Sequence, residues 1–447
     1  MIKRIFRETD GIRGKVGEEP LTERSMRKLG RAIGEYFIRS DRAGMPILIG
    51  HDSRESGKWI SRELAEGMME SDCDVWDIGE VSTPCMGILT GAEEVAGGVM
   101  VTASHNPASD NGVKVFDGRG DKLTDEEEIE IEKLFFEDSG GYPDQQVVGE
   151  VLEKSSLVDD YIELAMKGVD LSGMKICTDN AAGGGYGIVR KALEKVGATV
   201  VEVGPKPDGT NINEGCGALH PEKLAEAVVR EGADMGVAFD GDGDRIIVVD
   251  DKGMIWDGDR ITSMLAVWLK SEGKLAGDVV VMTEYSNLSA VQFLEKQGIR
   301  VDKVINGDRA VAAECKKIGA ALGGEASGHI IYPEWLSASD GLFVATLVAR
   351  MAHERGMKLS SLSPDYENYP SKLWNIDVKE RKPLEGVKGW NEGLKRWQEY
   401  LGAEGRVFVR YSGTEDLLRI LVEAKDAEKM KEAGDGLSEI VRKEIGK

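Results

Sequence analysis

Apolar positions along this chain follow two alternating rhythms. Short unbroken apolar runs read as buried strands. Stretches with apolar residues three or four apart read as amphipathic helices. Met26, Leu29, Ile33 and Phe37 form one such stripe and predict a helix over 22–40. A strand at 46–50 is followed by a helix carrying Ile60, Leu64 and Met68, and then by a strand at 75–78. Ser82, Thr83 and Pro84 read as a turn. Val99, Met100 and Val101 make the next strand. A helix over 124–136 begins at Thr124, and Glu127 three residues on completes a capping-box pattern.

The rhythm then restarts. Strands at 175–178, 199–203 and 236–239 alternate with helices at 188–196 and 221–230, and strand character resumes at 246–249. A third stretch has helices at 260–269 and 288–297, with strands at 279–283 and 320–322. After the proline-containing segment 363–370 come strands at 407–409 and 417–422 and a charged closing helix. Alternation of this kind predicts mostly parallel sheets with helices on their faces. The polar, glycine-rich segment 139–150 reads as a linker. With 447 residues the chain exceeds one ordinary core, and the expected divisions are 1–150, 151–251, 252–365 and 366–447.

Charge narrows the partners. The 80 acidic and 57 basic side chains give a net charge of −23, which argues against nucleic acid and anionic membrane. An anionic ligand would need a local basic cluster, so arginines in loops become informative. No apolar run approaches the roughly 20 residues of a membrane span, and the first residues show no secretory pattern. Five dispersed cysteines, without a paired spacing, fit free thiols in a reducing cytoplasm.

Four loops carry candidate chemistry. Ser104 follows the strand at 99–101 and precedes Asn106-Pro107, so it is presented at a strand end where a serine can be a nucleophile or a carrier of phosphate. Asp240, Asp242 and Asp244 alternate with glycines and can converge on one hard cation such as Mg²⁺. An EF-hand shares that spacing but requires glycine at its sixth position, where this chain has Arg245 followed by β-forming residues. Glu325 and Ser327 offer hydrogen bonds for vicinal sugar hydroxyls, and His329 can move a proton. Arg410, Ser412, Gly413, Thr414 and Arg419 read as a phosphate cradle of guanidinium, hydroxyl and backbone donors.

Together these stretches, at 102–107, 240–245, 324–329 and 410–415, resemble the α-D-phosphohexomutase superfamily in order and spacing, over essentially the whole chain. The resemblance implies three similar mixed-sheet α/β domains plus a smaller C-terminal α+β domain around a central cleft. It implies a phosphoserine at Ser104 and one Mg²⁺ held by Ser104, Asp240, Asp242 and Asp244. His105, Arg13, Lys114 and His329 are implied around the transferred phosphate, and Arg245, Asp308, Arg309, Glu325 and Ser327 around the sugar. A sugar 1,6-bisphosphate is the implied priming intermediate, a hexose or hexosamine phosphate the substrate, and a homodimer the assembly. Stretches 9–14, 110–114, 211–217 and 307–309 are most similar to the branch that isomerises glucosamine phosphates. Ala326, Tyr411 and Asp416 depart from that branch, and leave mannose and glucose phosphates as the alternative substrates. An ionised Asp308 is acceptor-only and favours an ammonium over a hydroxyl at carbon 2.

Overall fold

The computed structural model describes residues 5–6, 11–138, 149–412 and 415–447; most of the expected linker lies outside them. The first sheet contains β1 (Ile12–Lys15), β2 (Ile47–His51), β3 (Val75–Glu80), β4 (Gly97–Val101), β5 (Asp110–Asp117) and β6 (Val151–Glu153), in the order β1-β5-β4-β2-β3-β6. Strand β6 joins this sheet three residues beyond the expected division at 150. The second sheet contains β7 (Lys175–Asp179), β8 (Thr199–Glu202), β9 (Met235–Phe239), β10 (Ile246–Asp250) and β11 (Ile255–Trp256), ordered β11-β10-β9-β7-β8. The third contains β12 (Val279–Thr283), β13 (Arg300–Val304), β14 (Gly323–Gly324) and β15 (Ile330–Ile331), ordered β13-β12-β14-β15. The fourth is antiparallel, with β16 (Ser371–Asp377), β17 (Gly405–Tyr411) and β18 (Leu417–Ala424) in the order β16-β18-β17.

The first three sheets are mixed, as the resemblance implied, and parallel pairings outnumber antiparallel ones in the first and third. In each, a parallel centre meets an antiparallel strand: β4 with β5, β9 with β10, β14 with β15. The reason is connection length. Parallel neighbours need a crossover of a dozen or more residues, whereas a short loop can only turn the chain back. Those reversals, with the β17–β18 turn, are the four loops that carry the candidate chemistry.

Helices Glu23–Ile38 and Glu55–Glu70 cross almost backbone to backbone. A Cβ at Gly30 would stand 2.2 Å from Leu64 O, and one at Gly67 2.1 Å from Arg27 O. The expected turn at 82–84 opens a helix, Thr83–Ala92, capped by the Ser82 hydroxyl, with Pro84 in its first turn where its missing N–H costs nothing. Helix Gly341–Glu354 and strand β16 were not legible in the pattern. The helix buries ten of its fourteen residues, so it shows no polar stripe. The strand expected at 320–322 pairs instead at Gly323–Gly324.

The sheets meet around the second one. Thr83 N donates to Asp242 O at 2.8 Å, Gly341 N to Gly243 O at 3.1 Å, and Ile246 N to Gly328 O at 3.0 Å. The glycine-rich turn after β7 packs on the same loop through Gly184 N to Gly241 O at 3.0 Å. Backbone from the units of all three sheets thus fixes the 240–245 loop.

Candidate active site

The β4–β5 loop delivers Ser104 into this junction. Its backbone is left-handed, at φ +51°, and the side chain is buried. Ser104 Oγ donates to Asp240 Oδ2 at 2.7 Å and lies 3.3 Å from His105 Nδ1. Behind it, Thr102 Oγ1 accepts from Ser104 N at 2.9 Å and donates to Asp52 Oδ2 at 2.6 Å.

Asp240, Asp242 and Asp244 are all buried, and each offers an oxygen within 4.8 Å of the others. Lys114 Nζ, from β5, donates to Asp242 Oδ2 at 2.8 Å and to Asp244 Oδ2 at 3.2 Å. Thr83 Oγ1 donates to Asp242 Oδ2 at 2.6 Å. Burial and the two neighbouring carboxylates push Asp240 up to about 7. For Asp242, Lys114 and Thr83 outweigh burial and Asp244 and hold the carboxyl below its usual value. For Asp244, Lys114 and His329 outweigh burial and do the same. Asp242 Oδ1 is buried and makes no hydrogen bond among the described residues. A buried orphan oxygen, with an all-oxygen donor set of three carboxylates and a hydroxyl, fits a hard divalent cation.

The β14–β15 loop supplies the opposite wall. His329 Nδ1 stands 2.8 Å from Glu325 Oε2, and Nε2 stands 3.1 Å from Asp244 Oδ1. Burial would lower this imidazole, but carboxylates on both nitrogens outweigh it and raise it to about 10. The charged ring donates to both acids; Arg245 Nε, 3.2 Å from Nε2, bonds to it only after that nitrogen loses its proton. Glu325 Oε1 accepts from Gly307 N at 2.7 Å, and Oε2 from Ser327 Oγ at 3.3 Å. His105 is pushed down to about 4 by burial and by Arg245 and Arg13, so its ring is neutral near pH 7.

A cavity of about 510 Å³ opens onto these groups. Arg13, Ser104, His105, Asp244, Arg245, Asp308, Arg309, Glu325, Ser327 and His329 line it. Asp308 is held by Lys122 Nζ at 2.7 Å, and Arg309 Nη2 reaches Glu128 Oε1 at 2.5 Å. Both contacts run from the third sheet's unit back to the first. The expected phosphate cradle stands apart from this cavity. Arg410 Nε donates to Tyr285 Oη at 2.7 Å, and Arg419 Nη2 to Glu415 Oε2 at 3.2 Å. Ser412 is buried and accepts from Glu415 N at 3.4 Å. Gly413 and Thr414 lie outside the described residues. Motif reading missed Thr83, Asp52, Arg54, Asn213 and Lys122. Only Asn213 carried a signal, as part of the stretch 211–217.

Four family models match the chain in order. They are the phosphoglucomutase/phosphomannomutase alpha/beta/alpha domain I at residues 4–140, domain II at 158–253, domain III at 257–369, and the C-terminal domain at 373–439. A phosphoglucosamine mutase of Sulfurovum sp. is 41% identical over 94% of this chain and 94% of its own. That of Desulforamulus reducens is 39% identical over 97% and 98%. Among solved structures, a phosphoglucomutase/phosphomannomutase family protein from Burkholderia thailandensis superposes with a TM-score of 0.81 at 23% identity, covering 99% of this chain and 98% of that one. With four domains matched in order, and relatives alike over nearly their whole length, the chain belongs to the phosphoglucomutase/phosphomannomutase family of phosphohexomutases.

Proposed function

We propose that this enzyme interconverts glucosamine 6-phosphate and glucosamine 1-phosphate through a phosphorylated Ser104. The observation that carries it is the 2.7 Å contact of Ser104 Oγ with Asp240, inside a buried three-carboxylate cluster at the floor of a sugar-sized cavity. In one half-reaction the Oγ–phosphorus bond breaks as phosphorus bonds to a free sugar hydroxyl, and the hydroxyl's proton passes by way of the flanking histidines to the Ser104 oxygen left behind. The resulting 1,6-bisphosphate turns over, and its other phosphate returns to Ser104. The same bisphosphate primes an unphosphorylated enzyme.

Ser104, Asp240, Asp242 and Asp244 would hold Mg²⁺, which when bound neutralises charge on the transferring phosphoryl group. Arg13, Lys114 and Arg245 attract the incoming phosphate, while His105 and His329 stand ready to trade protons with Ser104 and the sugar. Glu325 and Ser327 accept from and donate to vicinal hydroxyls. Arg410, Ser412, Gly413, Thr414 and Arg419 cradle the phosphate that is not reacting. Near-whole-length likeness to enzymes named phosphoglucosamine mutase supports the amino sugar, as does an acceptor carboxylate, Asp308, in the cavity wall. The five cysteines are buried and unpaired, which supports a cytoplasmic location.

The test is kcat/KM measured side by side on glucosamine, glucose and mannose phosphates. The amino sugar is expected to lead by about 10- to 200-fold, corresponding to the roughly 1–3 kcal/mol of one buried polar group left unpaired. A lead of about tenfold for glucose or mannose phosphate, worth about 1.4 kcal/mol, would replace the amino sugar with that hexose.

A further inference from the structure

The stretch 211–217 has no part in the chemistry above, yet it reaches the nucleophile. Asn213 Nδ2 lies 2.9 Å from Ser104 O and 3.1 Å from Asn106 O. The same two carbonyls accept from one guanidinium nitrogen, Arg54 Nη2, at 3.1 and 2.6 Å. Two carbonyls on one side leave no choice of amide orientation, because only the NH₂ end of Asn213 can face them. Arg54 is itself fully buried and is held through Nη1 and its backbone N–H by Asp52.

Asn213 comes from the second sheet's unit and Ser104 from the first. Asn213 N donates to Ala181 O at 2.9 Å, which anchors the loop to the turn after β7. Beneath the amide, Gly241 packs so closely that a Cβ there would lie 2.7 Å from both Asn213 Nδ2 and Ser104 O. The amide therefore sets the distance between the Ser104 loop and the loop of the three aspartates.

The left-handed backbone at Ser104 is one that a serine adopts only when its surroundings impose it. A phosphate on Oγ would add nearly two negative charges beside three carboxylates, a load against which the loop needs anchors of its own. We infer that Asn213 and Arg54 are positioning residues: their shared grip on the Ser104 and Asn106 carbonyls holds the serine in line for phosphoryl transfer in both phosphorylation states. This rests on the reading of Ser104 as the phosphate carrier.

Asn213 is the better probe, because it is partly exposed and lies outside the cores. Wild type, Ser104→Ala, Asn213→Ala and Asn213→Asp are compared for steady-state turnover, for the single-turnover rate of Ser104 phosphorylation by glucose 1,6-bisphosphate followed by intact mass, and for melting temperature. Asn213→Ala should lose about 10- to 100-fold in kcat and in phosphorylation rate, the scale of a nucleophile displaced by a fraction of an ångström to one ångström. KM and melting temperature should stay close to wild type. Asn213→Asp keeps the shape but turns a carboxylate toward two carbonyls, and should lose more. A loss below about threefold in both rates, or one carried by KM alone, overturns the inference. So does melting at the wild-type temperature with wild-type rates in Asn213→Asp, which keeps the test decisive if the alanine variant misfolds. If instead Ser104→Ala keeps full activity, it is the serine reading that has failed.

Discussion

Thr83 shows how much of this site is decided by single side chains behind the obvious ones. Its hydroxyl donates to Asp242 Oδ2 at 2.6 Å, fixing a carboxylate whose other oxygen is buried with no hydrogen bond among the described residues. Groups that orient a metal ligand typically contribute 10- to 100-fold in affinity. Thr83→Val should therefore weaken Mg²⁺ about 10- to 100-fold with the fold intact, read by titrating activity with Mg²⁺; an unchanged Mg²⁺ midpoint would remove Thr83 from that role. On the proposed function, Lys122 would act on specificity in the same indirect way. It neutralises Asp308 at 2.7 Å, so Lys122→Met should raise the preference for glucosamine over glucose phosphate by at least about threefold, the direction set by a freer charged acceptor. A ratio that falls or stays constant would take Asp308 out of carbon-2 recognition. Ser104, the three aspartates and Glu325 with His329 were legible because glycine-framed polar loops interrupt apolar strands. Thr83 and Arg54 were not, because their partners lie 159 and 50 residues away, and no local pattern encodes such contacts; Asn213, 109 residues from Ser104, was marked only as part of the stretch 211–217.

At the scale of elements, two predictions concern helices. Gly67 lets helix Glu55–Glu70 touch helix Glu23–Ile38, and a Cβ there would meet backbone, which cannot rotate away. Gly67→Ala should cost about 1–3 kcal/mol by overpacking, seen as a lower urea midpoint with unchanged kcat per folded molecule. A midpoint at the wild-type value would mean the helices part without penalty. Asp259, in the first turn of helix Gly258–Ser271, accepts from Asn287 N at 2.7 Å while its Oδ1 makes no hydrogen bond among the described residues. Burial, and then Asp257, raise it to about 7 from a usual 3.8. The folded state therefore holds this proton more tightly than the unfolded chain. Its contribution is fully present below about pH 4 and is lost as pH rises to about 7, up to about 4 kcal/mol in all. Asp259→Asn should flatten that part of the profile of unfolding free energy against pH; an unchanged slope would contradict the assignment. Helices with one apolar stripe were legible from spacing alone. The almost wholly buried helix Gly341–Glu354 was not, nor was the reversal of strand direction at each site loop, which depends on pairing partners.

Across the whole molecule, the four site loops lie where chains turn back at sheet ends, and backbone contacts from the first and third sheets lock the second unit's aspartate loop. The acidic chain, at −23 overall, still gathers Arg13, Lys114, Arg245, Lys122 and Arg309 around one cavity and its rim, the local basic field an anionic sugar requires. The fourth unit is tied to the third by Arg406 Nη2 to Ser286 O at 2.6 Å and by Glu423 accepting from Leu288 N at 3.1 Å. On the proposed function, the burial of Ser104 would keep a phosphate on it away from water. The most direct test supplies hexose 1,6-bisphosphate labelled with ³²P, isolates the protein, and then adds unlabelled glucosamine 6-phosphate with Mg²⁺. The expected result is label on Ser104 that passes to sugar in a single turnover, and Ser104→Ala that takes up no label and has no turnover. Full turnover by Ser104→Ala, or label released steadily as inorganic phosphate without sugar, would contradict it.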